Sequence, residues 1–240
     1  MLLKNNKNIL LYLILIFFSL TQSLAADEFD ITALNIKLFQ DSEKILAEGN
    51  VLIVGQDGIT IEAESATYDK KENIIDAKKS VKITDTKTND ELKSDKIRYS
   101  KNKEEILAEG NVFFKGSNEV TMKTEIVLYD IKNQVIKSNQ STKMNDGSGN
   151  SILLDMFNYS TKNKILRSKG YIEMTDKYEN KYFFDDIFID VKKKRMAGSN
   201  LKLKFKKDTF GNVENDPRLI ANSAVITENK IGRASCRERV

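Results

Sequence analysis

The sequence predicts an all-β fold: a repetitive antiparallel sheet built from about five copies of a two-strand unit. Three observations carry this. Apolar and polar residues alternate with period two, as in Val51/Ile53, Ile59/Ile61/Ala63, Val81/Ile83, Val112/Phe114, Val120/Met122 and Leu201/Leu203/Phe205. The pattern returns every thirty residues or so. Gly-Asn, Asp-Gly and Lys-Asn pairs supply residues that tolerate positive φ, and they are expected to turn the chain at strand ends.

The repeat is clearest in two near copies. Glu43-Lys-Ile-Leu-Ala-Glu-Gly-Asn-Val51 recurs sixty-one positions later as Glu104-Glu-Ile-Leu-Ala-Glu-Gly-Asn-Val112. Weaker copies begin at Ile75, Ile136, Leu166 and Met196. Tyr68, Tyr99, Tyr129 and Tyr159 keep step with them, and Ile189 takes the next place. A fixed period of this kind marks an architecture in which each unit buries its face against its neighbours. Strands with one apolar and one polar face are characteristically antiparallel. The alternating runs are five to seven residues long and interrupted by charge, shorter than the ~9–11 residues of a membrane-spanning strand, so a soluble sheet is expected.

Composition narrows the chemistry. The chain has 240 residues, 40% hydrophobic and 31% charged, with net charge +4 and one proline, Pro217. It contains no histidine and no tryptophan, and its one cysteine is Cys236. Imidazole-based acid–base catalysis and histidine zinc sites are therefore excluded, as is an internal disulfide framework. Asp185, Asp186 and Asp190 form an acidic group without the spacing of a calcium loop, and no metal or cofactor is expected there. No catalytic residue is assigned, and the chain is expected not to be an enzyme. A carboxylate-based polysaccharide-cleaving β-helix using Asp185 or Asp186 is the enzymatic alternative.

The two ends differ from the middle. Lys4 and Lys7 precede an apolar run, Ile9 to Leu20, with small residues at Ser23 and Ala25. This is the pattern of a signal helix cleaved after Ala25, too short for the ~20 residues of a spanning helix. Residues 26–230 carry the repeat. Residues 231–240 change to an arginine-rich composition that resembles a translated sequencing adapter, and they are expected to be non-native.

The paired Ile-Leu-Ala-Glu-Gly-Asn-Val motif, with Ala66-Thr-Tyr-Asp69 between its copies, resembles the OstA-like lipopolysaccharide-transport family, which includes LptA, LptC and LptD. The resemblance covers residues 26 to 230. Asn215-Asp-Pro-Arg-Leu-Ile-Ala-Asn-Ser-Ala224 further resembles the segment leading toward the barrel of LptD, so its N-terminal periplasmic domain is the expected member, with the barrel absent here. The resemblance implies a partly open antiparallel β-jellyroll whose apolar interior holds lipopolysaccharide acyl chains in the periplasm, associated with the outer membrane of a Gram-negative cell. The groove candidates are Val51, Ile53, Ile59, Ile61, Val81, Ile83, Val112, Phe114, Val120, Met122, Ile172, Met174, Leu201 and Leu203. The implied partners are lipopolysaccharide, other Lpt jellyrolls joined by edge-strand pairing, and an outer-membrane lipoprotein if a barrel follows. No nucleic-acid partner is expected. A soluble LptA-type bridge is the alternative within the family, and a structural or adhesin β-solenoid the alternative outside it.

Overall fold

A computed structural model describes residues 29–55, 58–116, 119–207, 209, 218–227 and 230–232. The expected signal segment and most of the expected non-native tail lie outside these residues. The described residues form seventeen strands and one short 3₁₀ turn, Gln40–Ser42. None of their helices is long and apolar enough to cross a membrane.

The chain enters through two short strands, β1 (Phe29–Thr32) and β2 (Asn35–Phe39). Six long strands follow as a meander: β3 (Lys44–Gly55), β4 (Ile59–Asp69), β5 (Ile74–Asp85), β6 (Asp90–Ser100), β7 (Glu105–Lys115) and β8 (Thr121–Asp130). The next two strands are each split, into β9 (Val135–Ser138) with β10 (Thr142–Asn145), and β11 (Ser151–Leu154) with β12 (Phe157–Ser160). Long strands resume as β13 (Ile165–Thr175), β14 (Lys181–Asp190), β15 (Arg195–Lys204) and β16 (Arg218–Thr227), and β17 (Lys230–Gly232) closes the series. Every pairing is antiparallel. The repeating unit is a hairpin, and six are present among the described residues, the fourth made of the split strands. Ile231 and Gly232, assigned to the tail by composition, pair with Ile226 and Val225 in β17.

The long strands have ten to twelve residues, about twice the alternating runs counted in the sequence, because each strand bends in its middle. In β4, Ala63 and Ala66 are both buried although three residues apart, which period two forbids in a straight strand. The same three-residue step recurs at Ser94/Ile97, Thr124/Val127, Phe184/Ile187 and Ala221/Ala224. The partner strands spend four residues on the corner, as in Ala47/Val51, Ala77/Val81, Ala108/Val112 and Ser168/Ile172, and a β-bulge absorbs the extra one. The sheet therefore folds along a crease into two facing walls.

The Gly-Asn pairs sit in this crease. They were expected at strand ends, yet Gly49-Asn50 and Gly110-Asn111 lie in mid-strand, all four with positive φ (77°, 49°, 76° and 48°). Lys79 and Ser80 do the same in β5. Two successive left-handed residues turn the strand without ending its pairing. Glycine is required at position 110 for a second reason: a Cβ there would collide with the Asp95 carboxylate. Asn111 Nδ2 donates to that carboxylate at 2.8 Å, and Asn200 repeats the bond to Asp185 at 2.6 Å.

One end of the sheet is a ladder of four-residue turns. Each turn ends on a left-handed residue: Asn73, Glu104, Gln134, Lys164 and Lys194. The carbonyls of Glu43, Asn73, Glu104, Gln134 and Lys164 accept the N–H of Lys70, Lys101, Ile131, Thr161 and Val191 at 2.8–3.1 Å, tying each turn to the one before. Asp69, Asp130 and Asp190 cap these turns by accepting the N–H of Glu72, Asn133 and Lys193 at 3.0, 2.9 and 3.0 Å. This is the role of the aspartate in the Tyr-Asp pair. Asp185, Asp186 and Asp190 thus serve corners and turns, with Asp186 accepting the Ser199 hydroxyl.

Two measurements test these assignments. Gly110→Val should lower unfolding stability by about 1–3 kcal/mol in urea, because the residue is both left-handed and crowded, whereas Asn111→Gly should stay within ~0.5 kcal/mol. Equal losses would remove the corner from the account. The Asn133 side chain and N–H hold the Asp130 carboxyl below the usual carboxylate range; the Glu72 N–H does so for Asp69, against partial burial and with help from Lys44. A depressed folded pKa means stability present above the unfolded value of about 3.9 and lost as pH falls through the folded one. The double variant Asp69→Asn/Asp130→Asn should therefore lose less Tm than the parent below about pH 4. Parallel acid limbs would contradict the assignment.

Candidate functional site

The crease brings two apolar faces together, and the strand register draws a continuous row along each. On the second wall, which lies after the crease along β3 and before it along β4, cross-strand partners run Ile31, Ile53, Ile61, Ile83, Leu92, Phe114 and Met122, then Met144, Ile152, Met174, Tyr182, Leu203 and Leu219. The row crosses thirteen strands, and at ~4.8 Å per step it is about 58 Å long. On the opposite wall, Ile45, Tyr68, Ile75, Tyr99, Ile106, Tyr129, Ile136, Tyr159 and Leu166 are successive partners, continuing through Ile189 and Met196 to Ile226. Isoleucine and tyrosine alternate over the first four hairpins because tyrosine occupies one strand of each. Neither row contains a charged residue. Nearest the crease the residues are small: Ala47, Ala66, Ala77 and Ala108 are fully buried and let the walls approach.

Thirteen of the fourteen groove candidates lie on the second wall. Val51, Ile53, Ile61, Val81, Ile83, Val112, Met122, Ile172, Leu201 and Leu203 are buried in one core, and Ile59, Phe114 and Met174 pack half-buried against it. Val120 is the exception. It sits on the connection before β8, where its carbonyl accepts the Gly116 N–H at 2.8 Å, and it does not join the core. The opposite wall was not selected from the sequence. Its signal was present in the tyrosine series and in the Ile-x-Ala that precedes each Gly-Asn corner.

Exposure varies along the trough. Phe29 spans the gap at the N-terminal end: its ring meets Tyr68 and Tyr99 edge-on at 5.3 and 6.0 Å, and Lys101 Nζ lies 5.3 Å from its centroid. In the middle, Phe114, Tyr129, Ile136, Met144, Ile152, Tyr159 and Met174 are only half-buried. Burial raises the Tyr159 phenol above its ordinary pKa. Burial, together with the acceptor Asp176 at 3.0 Å, pushes Tyr182 up to about 12, so both phenols are neutral at physiological pH. The resemblance implied an unsealed cradle. The structure has walls in contact near the crease, with a half-exposed apolar stretch in the middle units.

The N-terminal edge is apolar as well. Ile36 and Leu38 pair with Ala47 and Ile45, so they share the inner face, yet they are 46% and 66% exposed. Outside the walls, charge dominates. Glu62, Lys82, Lys93, Lys123, Lys143, Glu173 and Lys202 share one outward row, a face that does not sit in hydrocarbon. This charged face, rather than strand length, separates the sheet from a lipid-facing barrel.

No family description matches the chain, and no curated protein matches it. Among solved structures it is similar to LptH of Pseudomonas aeruginosa, described as the LptA-homologous periplasmic component of the conserved lipopolysaccharide transport device. Identity is 14%, the match covers 59% of this chain and 81% of that one, and the TM-score is 0.30.

Phe29→Ala tests the closure of the trough. Removing the ring that reaches from β1 to Tyr68 and Tyr99 on the opposite wall should cost about 3 kcal/mol in urea unfolding and raise the fluorescence of an apolar dye. Full stability with no added dye binding would show that Phe29 seals nothing.

Proposed function

We propose that the chain is a non-catalytic lipid-transport jellyroll, whose two-walled apolar trough takes up the acyl chains of lipopolysaccharide in the periplasm. The observation that carries this reading is the uncharged inner row running unbroken across thirteen strands. In its middle, Phe114, Tyr129, Ile136, Met144 and Ile152 are only partly buried, apolar surface that incoming acyl chains would cover. Acyl chains entering there replace wall-to-wall contacts and remove their own methylenes from water, worth about 0.8 kcal/mol each. The paired Ala-Glu-Gly-Asn-Val corners, which carry the sequence resemblance to the lipopolysaccharide-transport family, are the residues that fold the sheet into this trough.

The open N-terminal edge supports pairing with another jellyroll of the same kind. Among the described residues its β2 pairs only with β3, on the side away from this edge, so an added strand beside Ile36 and Leu38 would extend both the ladder and the inner face. Within the family, the Asn215–Ala224 stretch supports the periplasmic domain of an LptD-type translocon, with its barrel and lipoprotein partner, over an LptA-type bridge.

Photo-crosslinking tests the trough. A photoreactive residue at Ile61 or Phe114 should capture lipopolysaccharide in cells, while one at the outward positions Glu62 or Lys82 should not. Capture at none of the four, or equally at all, would sink the transport reading and favour a structural or adhesive sheet.

A further inference from the structure

The outward face of the second wall carries a feature that transport through the interior does not use. Its central cross-strand row runs Lys93, Phe113, Lys123, Lys143, Leu153, Glu173, Phe183 and Lys202 to Ile220. Lys123 and Lys143 are direct partners on neighbouring strands, an arrangement of like charges that costs stability. Among the described residues, neither forms an ion pair. The pattern elsewhere on this face is different: Lys82 is held by Glu62 and Glu91 at 3.2 and 3.6 Å, and Lys181 by Glu173 at 2.8 Å. Lys93, at the start of the row, is likewise paired with Glu91 at 2.9 Å, so Lys123 and Lys143 are the cations of the first groove that form no ion pair among the described residues.

The row passes through two grooves of similar size and chemistry. The first, about 710 Å³, is lined by Lys93, Phe113, Lys123, Lys143, Asn111 and Ser141, with Glu125 its one carboxylate. Lys123 Nζ lies 5.7 Å from the Phe113 ring centroid. The second, about 690 Å³, is lined by Tyr171, Phe183, Lys202, Lys204 and Asn200, with Asp185 its one carboxylate. Here Lys204 Nζ lies 5.5 Å from the Phe183 centroid, and Tyr171, 48% exposed, meets Phe183 at 6.4 Å. In both grooves a corner asparagine gives its amide nitrogen to an aspartate, leaving the amide oxygen as an acceptor. Five strand steps separate Phe113 from Phe183, about 24 Å.

We propose that this outward row is a binding track for an acidic oligosaccharide, sugar rings carrying carboxylate, sulfate or phosphate. The three side-chain types answer the three parts of such a ligand. Aromatic rings pack against the apolar C–H faces of sugars, and amide and hydroxyl groups pair with sugar hydroxyls. Unneutralised lysines take the anions. Two equivalent grooves on one line fit a chain of several sugars better than a single small anion. The proposal stands apart from the lipid reading, since the inner rows take no part in it.

The test is a titration of the full chain, followed by amide NMR shifts and calorimetry, with four probes: a heparin-derived hexasaccharide, an oligogalacturonate hexamer, maltohexaose and inorganic phosphate. Both acidic hexamers should bind at least tenfold more tightly than maltohexaose or phosphate, with shifts at Phe113, Ser141, Tyr171 and Phe183. Lys123→Gln/Lys143→Gln should weaken them tenfold or more, and Phe113→Ala should weaken them with all lysines intact. The control Lys70→Gln/Lys71→Gln, on the turn end, should leave binding unchanged. Equal losses in both lysine pairs would mean non-specific attraction to a basic protein and overturn the track. So would phosphate binding as tight as either hexamer, or binding indifferent to Phe113→Ala.

Discussion

Everything in this molecule depends on how a strand turns a corner without leaving its sheet. Period-two alternation allows a straight strand to bury one face and no more. The sheet escapes that limit by bending every long strand at the same height, spending two intervening residues on one strand of each hairpin and, in most hairpins, three on the other. The longer path is where left-handed backbone appears, in Gly49-Asn50, Lys79-Ser80 and Gly110-Asn111. Consecutive positive-φ residues are costly unless the surroundings hold them, and here the pairing on both sides of the bulge does so. Without the corner the same residues would make a flat sheet with one wet face and no interior.

The fourth unit solves the same problem differently. Instead of bending, its strands break, and the gap is filled by hydroxyls. Thr142 Oγ1 donates to Thr124 Oγ1 at 3.0 Å or to the Gln140 carbonyl at 2.8 Å, and Thr124 and Ser138 hydroxyls lie 3.3 Å apart. Ser138 Oγ accepts the Gln140 N–H at 3.1 Å. These buried groups satisfy one another and the broken backbone, so the interruption leaves no orphaned side-chain donor or acceptor among the described residues. The inner residues of this unit, Ile136, Met144, Ile152 and Tyr159, are also only partly buried. Continuity of backbone pairing and closure of the walls weaken together.

The sequence made the sheet legible because alternation and period are local signals. Val51/Ile53, Val112/Phe114 and Leu201/Leu203 announce the second wall by themselves, since each run sits on one side of a corner. The first wall is harder to see. Its inward residues are tyrosine and alanine as often as isoleucine, and neither type signals burial as branched aliphatics do. The corner itself is ambiguous from sequence: Gly-Asn favours positive φ in a hairpin turn and in a mid-strand bulge alike, and only the pairing of neighbouring strands distinguishes them. Val120 alternates with Met122 in the sequence, but its carbonyl accepts the Gly116 N–H and it lies before β8 begins.

The turn ladder has a further consequence for how such a chain varies in length. Each turn hangs from its predecessor by one backbone hydrogen bond, and corners, caps and inner rows all recur in step with it. An insertion of one residue anywhere in a strand would exchange inside for outside from that point to the nearest corner. A gain or loss of a whole hairpin preserves every register. The span of the trough is therefore quantised: it can be lengthened or shortened only by two strands at a time, about 10 Å per thirty-residue unit.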